Sequence, residues 1–387
     1  MYLTLLVWAV SWTLAVNGPV MPLYVESLGI SVFNWGLLAA SIAFGMFLLE
    51  WVWGVYYDRI DPRLLMVLSV LALSVLYPLY TVQFLIPYFI VLQFLAGAIG
   101  IAVGPISRAY VSDVSSPNSV GFFVSLWWAF FILGRTIGPL LGSFIAQVWG
   151  YHQSFYASTL LSIATALLIL LTFPKRNQIE GAGRPIDLAS GLKQILRTHS
   201  VGYLFISALF AFMGVALIRS FLPLYASEQV RMSTLDVGVL ISATSAAQLL
   251  AMPVMGWTAD RFGKRRLILL GFSLSALVFL LYLFVGTQSQ LMLVSLIVSV
   301  GLSASSLLLL ALIPDVSPNG LHGAVVGVYG SFEDLGLIIG PVIFGLVWSL
   351  YTPILIFAAG AIAQVAGAIF LIPIFRRHVD RTVDHKS

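Results

Sequence analysis

The sequence contains no cysteine, so disulfides, thiolate metal sites and cysteine nucleophiles are excluded. Charge is scarce. Charged residues make up 9% of the 387 residues, against about a quarter in soluble globular chains, so a water-facing surface cannot be assembled. An ordinary cytosolic enzyme, a disordered chain and a nucleic-acid-binding domain are thereby set aside. Histidine is also rare: His152, His199, His322, His378 and His385 fall at segment ends or in loops, so paired intramembrane histidines for haem or metal are missing and no cofactor is expected. There is no histidine–acid cluster, no convincing serine–histidine pairing and no nucleotide loop of the G-x-x-x-x-G-K-S/T type, which argues against an enzyme and against intrinsic ATP-driven pumping. Met1-Tyr2-Leu3 lacks the basic region and small-residue cleavage site of a signal peptide and reads as the start of a retained membrane helix.

What the chain has in abundance is apolar length: 60% hydrophobic residues and a mean hydropathy of +1.02. A membrane-crossing helix needs about 20 mostly apolar residues. Twelve such stretches lie between polar and Gly/Pro-rich breaks, at 3–25, 34–57, 64–84, 87–111, 119–148, 152–173, 200–225, 236–258, 267–286, 289–313, 321–350 and 353–375. The expected fold is an all-α membrane protein with twelve transmembrane helices in two pseudo-symmetric six-helix bundles, 1–173 and 200–375. The linker is 174–199, followed at the far end by a tail at 376–387. Within the linker, Asp187 is placed to cap a short helix with Leu188, Leu192 and Ile195 on one face, a pattern that suits an interfacial helix; a plain solvated linker is the alternative.

Basic residues set the orientation. Segments after even-numbered spans hold Arg59 and Arg63, then Lys175, Arg176, Arg184, Lys193 and Arg197, then Arg261, Lys264, Arg265 and Arg266, and finally Arg376, Arg377, Arg381 and Lys386. These are fifteen of the nineteen, whereas the opposite loops hold only Arg231, so both termini and the linker are expected in the cytoplasm of a plasma-membrane protein. The net charge of +4 therefore records topology and implies no nucleic-acid partner.

A shift of 202 residues superposes the halves: Gly36 on Gly238, Gly54 on Gly256, Asp58 on Asp260, Arg59 on Arg261 and Arg63 on Arg265. Asp113-Val114-Ser115 falls on Asp315-Val316-Ser317, and Gly134, Gly138 and Pro139 fall on Gly336, Gly340 and Pro341. Six helices, an even number, separate the copies. The halves therefore share one orientation and are related by an axis along the membrane normal, with a substrate site expected between them near the midplane.

Gly54-Val-Tyr-Tyr-Asp58-Arg59-Ile-Asp61-Pro62-Arg63 and Gly256-Trp-Thr-Ala-Asp260-Arg261-Phe-Gly263-Lys264-Arg265-Arg266 occupy equivalent loops. They resemble the signature loop of the major facilitator superfamily; the second copy is complete, and the first departs at Asp61 and Leu64. The glycine suits close helix approach, the aspartate caps a helix N-terminus, and the arginines pair with acids on adjacent helix ends, Asp113 and Asp315 being natural partners. Arg108 belongs with this cluster, which the resemblance implies is a cytoplasmic gate that latches in the outward-open state. Gly134-x-x-x-Gly138-Pro139-x-x-Gly142 in span five is similar to the antiporter motif of the drug/proton antiporter branch, with Ser143 in place of a final glycine. In span four, Gln93 stands where that branch usually carries an arginine linked to proton coupling.

Charge at mid-bilayer is costly and usually faces a cavity. Glu50 in span two, Arg135 in span five, Arg219 in span seven, and Glu333 with Asp334 in span eleven are the interior candidates. Spans three, six, nine and twelve carry none, as expected of outer supports. The expected site has Arg135 and Arg219 as cationic contacts and Glu333 or Asp334 as the protonatable carboxylate. Asn17 is the repeat mate of Arg219 and is placed in the same cavity, with Gln93. Trp127 and Phe131 form an aromatic wall at i, i+4, i+8 spacing with Arg135. Glu50 is either a proton stop or an ion-pair partner of the latch. The alternative throughout is that these charges form buried pairs locking the halves.

The resemblance implies a secondary active transporter, a monomer working by alternating access and exporting small amphiphilic or drug-like compounds in exchange for protons. The two arginines motivate a different cargo, a small organic anion, and a non-transporting membrane sensor is the reading outside transport.

Overall fold

The computed structural model describes residues 15–57, 60–82, 85–114, 120–173, 198–318 and 321–384. Within them no strand occurs. The helices are α1 Val20–Ser27, α2 Val32–Tyr57, α3 Pro62–Leu79, α4 Ile86–Gly100, α5 Val103–Val114, α6 Val120–Trp149 and α7 Tyr151–Thr172, then α8 His199–Ala216, α9 Leu222–Glu228, α10 Thr234–Phe262, α11 Lys264–Leu281, α12 Gln288–Leu310, α13 Ile313–Val316, α14 His322–Leu350 and α15 Leu355–Asp384. Eleven helical stretches among the described residues are long and apolar enough to cross a membrane. The remaining span, 3–25, is described from residue 15 onward and ends in α1. The expected interfacial helix at Asp187 lies outside the described residues.

Two spans differ from uniform helices. The fourth is broken at 101–102, giving α4 and α5. The seventh passes from α8 through a π-helix, Leu217–Phe221, into α9. Such a bulge adds a residue to the turn and is over-represented at functional sites.

Packing divides the chain into two compact units, one of Met1–Ala182 with Arg219–Leu249 and the other of Gly183–Ile218 with Leu250–Ser387. In the first, α2 packs on α4 and α3 on α7; in the second, α11 packs on α12 and α15, and α8 on α14 and α15. The α3–α7 and α11–α15 pairs are the same contact in the two copies of the repeat.

Glycine placement explains the closest crossings. A β-carbon on Gly97 of α4 would collide with the Ile42 carbonyl of α2, and one on Gly45 of α2 with the Phe94 carbonyl of α4, so each helix supplies a gap for the other's backbone. In the second unit Gly301 meets Ser275, and Gly271 meets Ala304 and Ser305.

Both signature loops stop one helix and start the next. Asp61 accepts the Arg63 amide at 3.0 Å and caps α3, which has Pro62 in its first turn. In the other copy Gly263, at φ +92°, makes the turn from α10 into α11.

Candidate functional site

On α6 the helical period puts Trp127, Phe131 and Arg135 on one face. The Trp127 and Phe131 rings stack at 5.3 Å between centroids and 9° between planes. The Arg135 guanidinium carbon lies 5.9 Å from the Phe131 centroid, a cation–π contact. Trp128 stands edge-on to both rings, at 5.0 and 5.7 Å. The Trp127 indole donates to Ser107 Oγ at 3.0 Å, which fixes the ladder to α5. Arg135 is partly buried, and among the described residues it makes no ion pair or hydrogen bond. Five fork-shaped donors with only an aromatic face beside them suit a planar anion.

Arg219 is an exposed residue of the π-helix. One residue on, the Ser220 carbonyl accepts the Trp35 indole N–H from α2 at 2.8 Å.

Two expected contact residues are engaged elsewhere. The Asn17 amide nitrogen donates to Ser158 Oγ at 2.9 Å, and its oxygen accepts from Ser154 Oγ at 3.2 Å, both on α7. Gln93 is buried on α4 with its oxygen accepting from Tyr80 at 3.2 Å. Each therefore has a protein partner for the group it would have offered to substrate.

On α14 in the second unit, Asp334 is 7% exposed and Glu333 is partly buried. Tyr329, one turn before Glu333, interacts electrostatically with its carboxylate and donates its hydroxyl to the Ser306 carbonyl at 3.2 Å. Glu50 is partly buried on α2.

The small-residue motifs serve the first helix of their own half. A β-carbon on Gly142 would collide with the Val16 carbonyl, while one on Gly336 would collide with the Leu209 carbonyl of α8. Gly134, Gly138 and Pro139 are buried. Ser143, the departure from the family pattern, is matched across a helix crossing: a β-carbon on Gly238 of α10 would run into the Ser143 side chain and the Pro139 carbonyl.

At the signature loops, Arg63 donates to the Leu170 carbonyl near the end of α7, and Lys264 donates to the Ala311 carbonyl at 3.1 Å, just past α12. Each places a cation at a helix C-terminus, although the two contacts are not repeat mates, since Arg63 falls on Arg265. The expected pairing of the second loop's arginines, Arg261 and Arg265, with Asp315 is not made among the described residues. Arg261 lies over Trp257 at 5.4 Å and Arg265 over Phe375 at 5.6 Å, and ring faces take the place of carboxylates. Gly256 faces open space, so the close approach expected there is absent. Asp58 and Arg59 lie outside the described residues; Gly54, Arg108 and Asp113 are placed on α2 and α5 by backbone alone.

Sequence reasoning missed Trp35, Tyr329 and Gly238 as partners. Only Tyr329 left a signal, its i−4 spacing from Glu333.

The Major Facilitator Superfamily model matches residues 3–229 and 204–386. The chain belongs to the major facilitator superfamily. Among its relatives, multidrug resistance protein MdtG of Enterobacter lignolyticus is 25% identical over 361 residues, covering 91% of this chain and 86% of that protein. The uncharacterised MFS-type transporter YuxJ of Bacillus subtilis is 27% identical over 367 residues, covering 91% and 92%. Nucleoside transporter NupG superposes with a TM-score of 0.81 at 12% identity, covering 97% of this chain and 99% of that one. An inward-facing, occupied bacterial homologue of the lysosomal transporter Spinster gives 0.76 at 14%, covering 96% and 93%. The fold is thus the twelve-helix, two-bundle fold of the superfamily. The protein is an integral membrane transporter of small molecules and not an enzyme.

Proposed function

We propose that this transporter exports small amphiphilic compounds in exchange for protons. In this reading the bundles 1–173 and 200–375, joined by the 174–199 linker, rock about a midplane site in a monomer of the cell membrane with both termini cytoplasmic. Arg135, with Phe131 and Trp127 beside it, binds cargo; Arg219 is a second cationic contact; Glu333, assisted by Asp334, carries the proton.

The observation that carries the reading is the placement of opposite charges on repeat-related helices, a guanidinium on α6 and carboxylates on α14. The multidrug name of the MdtG relatives adds support for the cargo class. Glu333 is partly buried with the Tyr329 phenol one turn away on the same helix, which supports a role as proton carrier. The signature loops fit a state with the latch released, Arg261 and Arg265 lying over rings.

The test is a substrate screen in proteoliposomes under an imposed pH gradient, with Glu333→Gln alongside. Gradient-accelerated flux of amphiphiles that is lost in the variant is the expected result. No gradient-accelerated compound, or unchanged pH-driven flux in the variant, overturns the coupling role.

A second reading, carriage of a small organic anion, is favoured by the lack of any acidic partner for Arg135 among the described residues. Counterflow with carboxylates against cationic dyes separates the two.

A further inference from the structure

Residues 16–19 form turns ahead of α1: the Gly18 amide closes an i, i+3 bond on the Ala15 carbonyl at 3.0 Å, and Pro19 has no amide hydrogen to give. The 202-residue repeat carries 16–19 onto 218–221, inside the π-helix Leu217–Phe221. The first and seventh spans are therefore irregular at equivalent points. Paired interruptions of this kind mark where a transporter's helices bend about its site.

Beyond each irregularity lies a short helix, α1 (Val20–Ser27) and α9 (Leu222–Glu228), and the repeat superposes these as well. The two helices pack against each other within the first unit. Residues related by an axis meet only where they lie close to it, as on two helices that pack together. Glu26 and Glu228 are such a pair, at matching ends of α1 and α9 and each partly buried, and the charge of Glu228 acts on Glu26.

Two carboxylates confined in one contact resist double ionisation. Burial, then the charge of Glu228, pushes the Glu26 carboxyl above the ordinary carboxylate range, against the opposing hydrogen bond from Ser227. The other ionisable groups at this end offer no compensation. Tyr24 on α1 is engaged with His152 of α7 at 3.2 Å; Tyr151 and Tyr156 of α7 and Tyr225 of α9 are phenols; α2 and α6 bring no charge to this end. Asp236 of α10 is tied to Ser233 at 2.7 Å, and Arg231 makes no ion pair with Glu26 or Glu228.

We propose that α1 and α9 are paired gate segments whose closed contact is held by a proton bound between Glu26 and Glu228. The proposal rests on the alternating-access reading above and is independent of the group that couples flux to protons. A carboxyl whose pKa is higher in the closed contact than in the open one stabilises closure in full below the open-state value. That contribution is lost as pH rises through the closed-state value. The gate therefore shuts when the solution at this end is acidic and loosens when it is alkaline.

The absence of cysteine supplies a clean background for labelling. Ser27 and Gln229 are exposed, and the repeat relates them at the ends of α1 and α9. Spin labels on Ser27→Cys and Gln229→Cys, in protein reconstituted into nanodiscs, report the separation of the two segments. A single short distance at acidic pH that lengthens as pH rises is expected, with Glu26→Gln/Glu228→Gln holding the short distance throughout. A distance independent of pH, or a double glutamine variant that opens as the parent does, overturns the proposal. If the distance responds to pH while no gradient drives flux, the proton-exchange reading falls and the gate stands. Gradient-driven flux with a pH-independent distance removes the gate alone.

Discussion

Trp35 donates its indole N–H to the Ser220 carbonyl at 2.8 Å across 185 residues of sequence, joining α2 to the π-helix that carries Arg219. The Trp35 side chain is 5% exposed and the bond itself is partly buried. A neutral hydrogen bond of this kind is worth about 1 kcal/mol, or roughly a five-fold shift in an equilibrium. Trp35→Phe keeps an aromatic ring and removes the donor. The expected outcome is a roughly five-fold larger open fraction at fixed pH, read by the Ser27/Gln229 label pair. An unchanged distance distribution would show that the indole contact does not hold this end closed.

Ser143 and Gly238 form a second paired position. The family pattern has glycine at 143; here the side chain sits on α6 and the gap has moved to α10. Gly238→Ala is expected to cost about 1–3 kcal/mol by overpacking, seen as a lowered unfolding temperature in detergent and reduced flux. Adding Ser143→Gly to that variant is expected to recover part of the loss. The recovery is partial because the Pro139 carbonyl also lies 2.9 Å from the added carbon. Gly256→Ala, where a β-carbon meets nothing, should leave the unfolding temperature unchanged.

Gln93 and Tyr80 bear on the missing arginine of span four. Tyr80→Phe strands the Gln93 oxygen in a buried position and is expected to destabilise by about 1–3 kcal/mol. Gln93→Arg restores the residue type of the antiporter branch, yet it places a guanidinium against Tyr80 and Phe89, so it should lower the unfolding temperature further than Tyr80→Phe does. Folding as stable as the parent's would contradict this account of why glutamine stands there.

The spans, their number and the repeat were legible because each rests on one-dimensional signals: apolar runs of membrane length, the scarcity of charge, and identities in fixed register. The Trp127–Phe131–Arg135 ladder was legible for a similar reason, since helical period alone decides which side chains share a face. Asn17 was assigned to the cavity as the repeat mate of Arg219, and Gln93 as the residue at the antiporter branch's arginine position, both by the rule that equivalent positions share a role. That rule does not see a serine 141 residues away or a tyrosine 13 residues away that satisfies the amide locally. The irregular turns at 16–19 and Leu217–Phe221 were hidden because a π-bulge leaves no change in hydropathy, although the repeat places them in register once either is known.

Asn17 gives the sharpest separation between a structural amide and a substrate contact. Its nitrogen and oxygen are both taken by α7, through Ser158 at 2.9 Å and Ser154 at 3.2 Å, and it is 9% exposed. Asn17→Ala breaks both bonds and leaves two buried serine hydroxyls, of which Ser158 retains a bond to the Ser154 carbonyl at 3.0 Å. The expected loss is about 1–2 kcal/mol in stability, with the order of preference among transported compounds unchanged. Asn17→Asp keeps the acceptor for Ser154 but faces Ser158 with a second acceptor and brings a charge into a closed pocket. It should therefore destabilise more than alanine does. Arg135→Gln should behave in the opposite sense, changing the preference for anionic over neutral cargo with little effect on unfolding, because its guanidinium lies by the Phe131 ring and makes no hydrogen bond or ion pair among the described residues. Measuring unfolding temperature and cargo preference together for the three variants decides the roles. A shift in preference for Asn17→Ala without loss of stability would return that residue to the binding site.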